Sequence, residues 1–280
     1  MTFGYLIIVS DDTKNNYPTL AYALALSIKN TQKEGFDKVA LVINDKSKIK
    51  DFNSTWVFDE IIEWGEQTHW NGRSYMDKLT PWDYTICLDA DMLFFRDYSH
   101  WVEYFIKNCE LYVANKSYTY RNELVTDNSY RKCFTANDLP NLYSFYTFFV
   151  KDSALAKDFF DLQREIINNP TEFANNFLTK HKPKIIGTDE AFALASKILD
   201  ITDEIAYPLE FPRVSHLKGM VQNWPYPADS VYDHVGFYFD RSGNLKIGNY
   251  LQTNIVHYVD KKKVNLETIN ILEEIAWKKD

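Results

Sequence analysis

The 280-residue sequence contains little glycine and little cysteine. Its nine glycines form no glycine-rich loop near the N-terminus, although a nucleotidyltransferase or phosphotransferase would be expected to carry one for its phosphates. The three cysteines, Cys87, Cys109 and Cys133, are far apart and lack the spacing of zinc ligands. Because their number is odd and their spacing wide, we expect free thiols in a reducing compartment and therefore a cytoplasmic protein.

Long apolar segments are also absent from the sequence. The first residues contain a short apolar run with no basic region before it, which is not typical of a signal peptide. No stretch approaches the roughly 20 apolar residues that a membrane-spanning helix needs. We therefore expect neither a signal peptide nor a membrane span.

Positive charge is scarce relative to negative charge. The 31 lysines and arginines are outnumbered by 39 aspartates and glutamates, which gives a formal net charge of −8. Binding to a nucleic-acid backbone requires a positive surface, so we do not expect nucleic acid as a partner. A local basic groove for a nucleotide diphosphate is compatible with this charge.

Aromatic residues, in contrast, are abundant. They make up 16% of the chain, with 19 tyrosines, 19 phenylalanines and 7 tryptophans. Aromatic side chains pack protein cores, but they also line carbohydrate and nucleotide sites by stacking. The composition therefore fits a sugar-handling protein without establishing one.

Short apolar runs alternate with helical patterns along most of the chain. The runs that predict strands lie at 5–9, 39–43, 84–88, 111–114, 142–150 and 255–258, with a weaker one near 57–62. The patterns that predict helices lie at 18–28, 73–79, 154–167, 191–199 and 266–277. Such alternation predicts a single α/β domain with a Rossmann-like, mostly parallel sheet and helices on both faces. The stretch 208–249, rich in proline, tryptophan and glycine, predicts an irregular C-terminal part.

The most informative motif is the pair Asp89 and Asp91, which lies inside the otherwise apolar run 86–95. Ionised carboxylates are rarely buried unless they are paired or hold a metal. In a strand, residues two apart point to the same face, so both carboxylates could reach one cation. Hard cations such as Mg²⁺ and Mn²⁺ take oxygen ligands of this kind. A turn or a helix cap that carries two aspartates is the alternative.

Polar residues follow two further predicted strands. Asp11 and Asp12 come after the first apolar run, and Asn44 with Asp45 follow the second. In open α/β sheets, ligands bind outside the carboxyl ends of the strands. We therefore expect these pairs and the Asp89–Asp91 pair to meet at one edge of the sheet.

With these motifs, the sequence resembles the metal-dependent glycosyltransferases of the GT-A fold, in particular the glycogenin and bacterial galactosyltransferase group (glycosyltransferase family 8-like). The matching features extend from about residue 5 to residue 263. The resemblance implies one GT-A-like domain over residues 1–280. Its nucleotide-binding half covers about 1–115, the half that binds the acceptor and completes the metal site covers 116–263, and a closing helix covers 264–280.

The resemblance also implies roles for individual residues. Asp89, Asp91 and His257 would hold Mn²⁺ or Mg²⁺, and Asp89 would also lie near the ribose. The residues expected to contact the donor nucleotide or its diphosphate are Ser10, Asp11 and Asp12 with Tyr17 behind them, Arg73 or Lys78, and Lys263. A solvated helix face is the alternative for Arg73 and Lys78, and a structural role is the alternative for His257.

The pair Asp189 and Glu190 matches the family's Asp-Gln, which faces the reacting sugar, and would be catalytic. The alternative is a capped helix, with Thr188 as N-cap and the acidic residues in the first turn. Trp70, Trp224 and Tyr226 are candidates for an acceptor platform, with plain packing as their alternative.

The sequence departs from the family pattern at several positions. Glu190 stands where glutamine is usual, and Asp260 stands where a glycine is usual. The bulky run 144–146 (Ser-Phe-Tyr) replaces the family's Asn-Ser-Gly near the acceptor. The acceptor pocket is therefore expected to differ from that of the family.

The resemblance implies a metal-dependent, retaining hexosyltransferase that uses a nucleotide-diphosphate sugar, with a UDP-sugar as the expected donor, and a saccharide or glycan acceptor. Two other classes stay open at this point. One is an inactive nucleotide-sugar or carbohydrate-binding protein, which the altered positions 144–146 and 190 allow. The other is a nucleotidyltransferase, which the lack of a glycine-rich loop disfavours.

Overall fold

A computed structural model of the protein describes residues 2–10, 16–50, 52–53, 55–65, 72–207, 212–217 and 235–277. Within these ranges the chain forms a six-stranded central sheet, two three-stranded sheets and helices that pack around them. No helix in the described part of the chain is long and apolar enough to cross a membrane. The three cysteines are buried and carry free thiols.

The central sheet is mixed and mostly parallel. In chain order its strands are β1 (Phe3–Ile8), β2 (Val39–Ile43), β3 (Glu60–Glu63), β4 (Tyr84–Leu88), β6 (Leu111–Ala114) and β7 (Tyr143–Val150). Their order across the sheet is β3-β2-β1-β4-β7-β6. The first four strands pair in parallel, whereas β7 runs antiparallel to both β4 and β6. The predicted α/β sheet is confirmed.

The helices follow the strands closely in sequence. They are α1 (Tyr17–Thr31), α2 (Met76–Leu79), α3 (Ser99–Asn108), α4 (Lys132–Asn137), α5 (Ala154–Asn168), α6 (Pro170–Phe177), α7 (Thr188–Ile198), α8 (Thr202–Ile205) and α9 (Leu266–Ala276). The predicted helix 73–79 is instead a 3₁₀ turn, Gly72–Tyr75, followed by the single turn of α2. Helix α3 had no predicted counterpart, because its residues Trp101, Tyr104 and Phe105 are aromatic and equally typical of strands.

Both faces of the central sheet are covered, as predicted. Along β1, Tyr5 and Ile7 join one apolar core, which also contains residues of α1, α3 and α9. The residue between them, Leu6, joins a second core on the opposite face, built with α5 and α7. Because alternate strand residues point to opposite faces, one apolar strand supplies both cores.

Two small sheets lie beside the central one. In the first, β12 (Ile255–His257) lies between β5 (Met92–Leu93) and β8 (Val214–His216). The second consists of β9 (Phe237–Phe239), β10 (Leu245–Ile247) and β11 (Tyr250–Leu251), which pair antiparallel. The described residues of the stretch expected to be irregular are thus partly organised into short strands.

The direction of β7 decides what lies at the carboxyl edge of the sheet. Leu88, the last residue of β4, pairs with Tyr146 near the start of β7. Residues 143–145 therefore lie at the edge where β1, β2 and β4 end. The pairing of β12 with β5 brings His257 opposite Met92, next to the same edge.

Candidate functional site

A cleft of about 640 Å³ lies at the carboxyl edge of the central sheet. Its lining includes residues that follow β1, β2 and β4 and residues from the start of β7 and of α7. The polar and charged side chains in its wall include Ser10, Asn44, Arg73, Asp89, Asp91, Arg131, Ser144, Asp189, Glu190, His216, His257 and Lys261. The predicted convergence of polar residues at this edge is confirmed for Asn44 and the Asp89–Asp91 pair.

Asp89, Asp91 and His257 form a compact group in this cleft. Each offers one ligand atom, and these atoms all lie within 4.8 Å of one another. His257 Nε2 is 3.1 Å from Asp91 Oδ1 and 3.5 Å from Asp89 Oδ2. Asp91 and His257 are buried, whereas Asp89 is partly exposed to the cleft. The group thus has a closed side toward the protein and an open side toward the cleft.

The donor set of this group fits a divalent cation. Two carboxylates and one neutral imidazole are usual ligands of Mn²⁺ and related metals, and two negative charges balance a dication. Neighbouring ligands held at about 2.1 Å from an octahedral cation lie about 3 Å apart. The distances of 3.1 and 3.5 Å from His257 Nε2 are close to this value.

The environment of Asp91 favours its charged form. Burial alone would raise the pKa of this carboxyl, but the neighbouring His257 and Lys261 outweigh burial, and the pKa of Asp91 lies well below its usual range. Lys261 Nζ is 3.3 Å from Asp91 Oδ2. Its ammonium group also lies 5.6 Å from the centre of the Tyr17 ring, which forms another part of the cleft wall.

Arg73 contacts the second carboxylate of the group. Its guanidinium forms an ion pair with Asp89, and its Nη1 donates to the carbonyl oxygen of Ser144 at 2.6 Å. Only 12% of the Arg73 side chain is exposed. Arg73 therefore orients Asp89 and at the same time joins the end of β4 to the start of β7.

The turn that carries Arg73 is anchored from behind by Arg164 of α5. Arg164 Nη1 donates to the carbonyl oxygen of Ser74 and lies 2.7 Å from Asp77 Oδ1. Asp77 is buried, with 4% of its surface exposed. The buried ion pair thus holds the 3₁₀ turn and α2 against α5, with Arg73 in the lining of the cleft.

Asp189 lies in the first turn of α7 and lines the same cleft. Its Oδ1 accepts hydrogen bonds from the backbone N–H and the hydroxyl of Ser144, at 2.9 and 2.7 Å. Its Oδ2 accepts from Arg131 Nη2 at 2.9 Å. Gly187, and not the expected Thr188, is the N-cap residue of this helix; Thr188 is its first residue, and Asp189 and Glu190 lie in its first turn.

Arg131 is held rigidly at the base of the cleft. Its guanidinium carbon lies 3.6 Å from the centre of the Phe134 ring and 4.3 Å from that of Tyr143. The same group donates to the carbonyl oxygen of Leu142 at 2.7 Å. Because its side chain is only 5% exposed, Arg131 supplies a fixed positive charge behind Asp189.

Glu190 differs from its neighbour in environment. Burial raises the pKa of this carboxyl, although favourable contacts with the backbone N–H groups of Glu190 itself and of Gly187 oppose the shift. A β-carbon at position 187 would lie 2.5 Å from Glu190 Oε2, so glycine leaves the room for this contact. Glu190 thus reaches back over the start of α7, as a third helical residue does in a capping box.

The other sequence-predicted residues divide into three sets. Ser10 and Tyr17 line the cleft, together with Arg73. Lys78 and Lys263 are not among the lining residues; Lys78 is exposed and its Nζ lies 3.4 Å from Asp77. Asp11, Asp12, Trp70, Trp224 and Tyr226 lie outside the described residues.

Three lining residues with basic or imidazole side chains had no prediction from the sequence. Lys261 belongs to a run of three lysines that also contains Lys263, and the family spacing pointed to the latter. Arg131 and His216 follow no recognisable motif. His216 becomes visible only through the pairing of β8 with β12, which sets it beside His257.

The fold is that of several solved glycosyltransferases. Mouse xyloside xylosyltransferase 1 in its apo form superimposes with a TM-score of 0.54 at 10% identity, over 95% of this chain and all of that chain. The glycosyltransferase GlyE of Streptococcus pneumoniae TIGR4 superimposes with TM-scores of 0.53 and 0.52, at 14% and 13% identity. This chain covers 60% of the length of GlyE, while GlyE covers 99% of this chain.

Sequence comparison adds no relative. No family model matches the chain, and no curated protein matches it in sequence. The structural likeness therefore shows a GT-A-like fold, as the Asp-x-Asp motif implied, and the grouping with glycogenin stays a prediction.

Proposed function

We propose that this protein is a metal-dependent glycosyltransferase that moves a sugar from a nucleotide-diphosphate donor to a saccharide acceptor. The observation that carries the proposal is the convergence of Asp89, Asp91 and His257 in a cleft at the carboxyl edge of the sheet. Open α/β sheets bind nucleotides at this edge. The glycosyltransferase fold of the structural neighbours supports the same function by analogy.

Asp89 and Asp91 would hold a Mn²⁺ or Mg²⁺ ion through carboxylate oxygens, and His257 through Nε2. Such an ion supplies charge stabilisation to the diphosphate leaving group, an effect of several kcal/mol. Asp91 is well prepared for this role, because it is buried and the ammonium group of Lys261, with Nζ 3.3 Å from Asp91 Oδ2, favours its charged form.

Lys261 takes the diphosphate role that the family spacing assigned to Lys263. Its ammonium group already lies in the cleft wall, 3.3 Å from Asp91 Oδ2. Arg73 adds a second fixed positive charge on the same side of the cleft. Fixed charges in a partly enclosed cleft stabilise developing negative charge without a large reorganisation.

Asp189 would act on the sugar. A sugar that leaves a diphosphate develops positive charge at its anomeric carbon, and a nearby carboxylate stabilises that charge. Three hydrogen bonds from Ser144 and Arg131 hold this carboxylate in one place. A retaining outcome, a UDP-sugar donor and a hexose as the transferred sugar are the finer parts of this proposal, and they rest on the family resemblance.

The test begins with binding of UDP, GDP and ADP to the full chain, measured by thermal unfolding with and without Mn²⁺. We expect one nucleotide diphosphate to raise the unfolding temperature much more when Mn²⁺ is present, because ligands that bind only the folded state stabilise it by mass action. Turnover of the matching labelled nucleotide sugars, with a glycan array as acceptor, then separates an enzyme from an inactive binding protein.

A matched pair of variants sharpens the test. Lys261→Gln should weaken Mn²⁺-dependent nucleotide binding about tenfold, since a fixed charge in a low-dielectric cleft is worth more than one at the surface. Lys263→Gln should leave this binding unchanged. Equal nucleotide affinity with and without Mn²⁺ in the unmodified protein would contradict the proposed function.

A further inference from the structure

Behind His257 lies a second histidine. His216 on β8 is the register partner of His257 on β12, and the two Nδ1 atoms are 3.1 Å apart. The ring centres lie 4.7 Å from each other, and both rings contact Phe145 with centres at 5.4 Å. Both residues are buried, with 6% and 7% of their surface exposed.

The chemistry of this contact allows only one proton between the two nitrogens. A neutral imidazole carries a hydrogen on one ring nitrogen and a lone pair on the other. If two Nδ1 atoms lie within hydrogen-bond distance, one of them donates and the other accepts. The contact therefore couples the tautomer of His216 to that of His257.

The contacts of Nε2, the other ring nitrogen of His257, decide which tautomer a bound cation requires. Its Nε2 points at Asp89 and Asp91, at 3.5 and 3.1 Å. A histidine that binds a metal through Nε2 must offer a lone pair there and so carries its proton on Nδ1. His257 must then donate to His216, and His216 must carry its own hydrogen on Nε2.

We infer that His216 is a positioning residue that holds His257 in the tautomer and orientation needed to bind a divalent cation. The inference rests on the proposed metal site. It assigns His257 a hydrogen-bond partner, His216, that lies outside the sequence motif. Ligating histidines usually donate to a carboxylate, a backbone carbonyl or water. An imidazole acceptor adds no further negative charge, so Asp89 and Asp91 remain the only charged ligands of the described group.

Packing alone is the competing explanation, because His216 also contacts the Tyr143 ring at 5.9 Å between centres. Two substitutions separate the explanations. His216→Phe keeps a flat ring of similar size and loses the acceptor. His216→Asn loses the ring and keeps an acceptor, since its Oδ1 branches from the γ-carbon just as Nδ1 does.

The experiment measures Mn²⁺ affinity of the full chain by calorimetry and by electron paramagnetic resonance, without any nucleotide. We expect His216→Phe to lose about 10- to 100-fold in affinity, the usual effect of removing such a partner. His216→Asn should stay within about threefold of the unmodified protein, although its unfolding temperature falls more because the ring is lost. If His216 only packs against its neighbours, His216→Phe should bind Mn²⁺ more tightly than His216→Asn does.

The outcomes distinguish this inference from the proposed function. If the unmodified protein binds Mn²⁺ and His216→Phe binds it equally well, the inference is overturned and the metal site stands. If the unmodified protein binds no Mn²⁺, both are overturned. Should His216→Phe fail to fold, ¹⁵N NMR of the Mg²⁺-loaded, unmodified protein decides: a proton on His257 Nδ1 supports the inference, and one on His216 Nδ1 contradicts it.

Discussion

Ser144 donates both its backbone N–H and its hydroxyl to Oδ1 of Asp189, at 2.9 and 2.7 Å. Its carbonyl oxygen accepts from Arg73, which also pairs with Asp89. One residue at the start of β7 therefore links the carboxylate–histidine group to Asp189. Asp89 and Asp189 are parts of one network of hydrogen bonds and ion pairs.

Asp189→Asn tests the proposed role of this carboxylate. We expect turnover to fall by about 10²-fold or more, as for the loss of a preorganised electrostatic contact, while donor affinity changes little. The free energy of unfolding should fall by only about 1–2 kcal/mol, because the carboxylate is partly exposed and Arg131 keeps its other acceptors. Steady-state kinetics and urea unfolding measure the two effects.

Ser144→Ala is the matched control for that variant. It removes one of the hydrogen bonds to Asp189 and leaves the charge in place. Turnover should therefore fall less than in Asp189→Asn, by roughly tenfold, which corresponds to about 1.4 kcal/mol. Normal turnover in Asp189→Asn would show that this carboxylate only supports the fold.

Asp91→Asn should abolish the effect of metal on stability. At a Mn²⁺ concentration 100 times its dissociation constant, binding stabilises the folded state by about 2.7 kcal/mol. Thermal unfolding of the variant, measured with and without MnCl₂, should show no such stabilisation. Asp127→Asn, at an exposed position away from the cleft lining, is the control and should respond to Mn²⁺ like the unmodified protein.

Glu190 should make stability depend on pH. Burial raises the pKa of Glu190 in the folded state above its ordinary value of 4.5. In the pH range just above 4.5 the folded state then binds more protons than the unfolded state, so the contribution of Glu190 to stability decreases as the pH rises. Glu190→Gln should remove this decrease and unfold at higher urea than the unmodified protein at pH 7. An identical pH profile in both proteins would contradict the assignment.

The same substitution also has a kinetic readout. Glutamine is the residue usual at this position in the family that the sequence resembles. If the departure weakens catalysis, Glu190→Gln raises turnover, measured beside Asp189→Asn under the same conditions. Unchanged turnover would show that the departure leaves catalysis unaffected.

Arg164→Ala should destabilise the fold and disturb the cleft through Arg73. The variant leaves the buried Asp77 without its main partner, a change that costs about 3–5 kcal/mol in similar buried pairs. Because Lys78 Nζ also lies 3.4 Å from Asp77, we expect a loss of stability near the lower end of this range. In a double-mutant cycle with Asp77→Ala, measured by urea unfolding, the two losses should not add.

The sequence predicts those parts of the site that follow parallel strands. Asp89 and Asp91 come directly after the apolar run of β4, and Asn44 comes after that of β2. The rule that ligands bind at the carboxyl ends of strands brings these residues to one cleft. His257 follows another short apolar run, and its place beside the carboxylates agrees with the family resemblance.

The rest of the site lies beyond this rule. Ser144 lies near the start of β7 and does not follow a strand. It reaches the cleft because β7 runs antiparallel to β4. Lys261 lines the cleft and Lys263 does not, because residues 261–263 form a 3₁₀ turn whose N-cap residue is Asp260. Successive residues in such a turn point about 120° apart, so the two lysines face different directions. Neither strand direction nor turn type follows from local composition.

The three candidate cation ligands have a consequence for biosynthesis. His257 lies 166 residues after Asp91 in the sequence, on β12, which pairs with β5. A nascent chain on the ribosome therefore offers two carboxylates long before it offers the imidazole. Arg73 emerges before either carboxylate and pairs with Asp89 in the folded protein. The three-ligand site thus arises only after translation has passed residue 257, when all strands of the central sheet have already been synthesised.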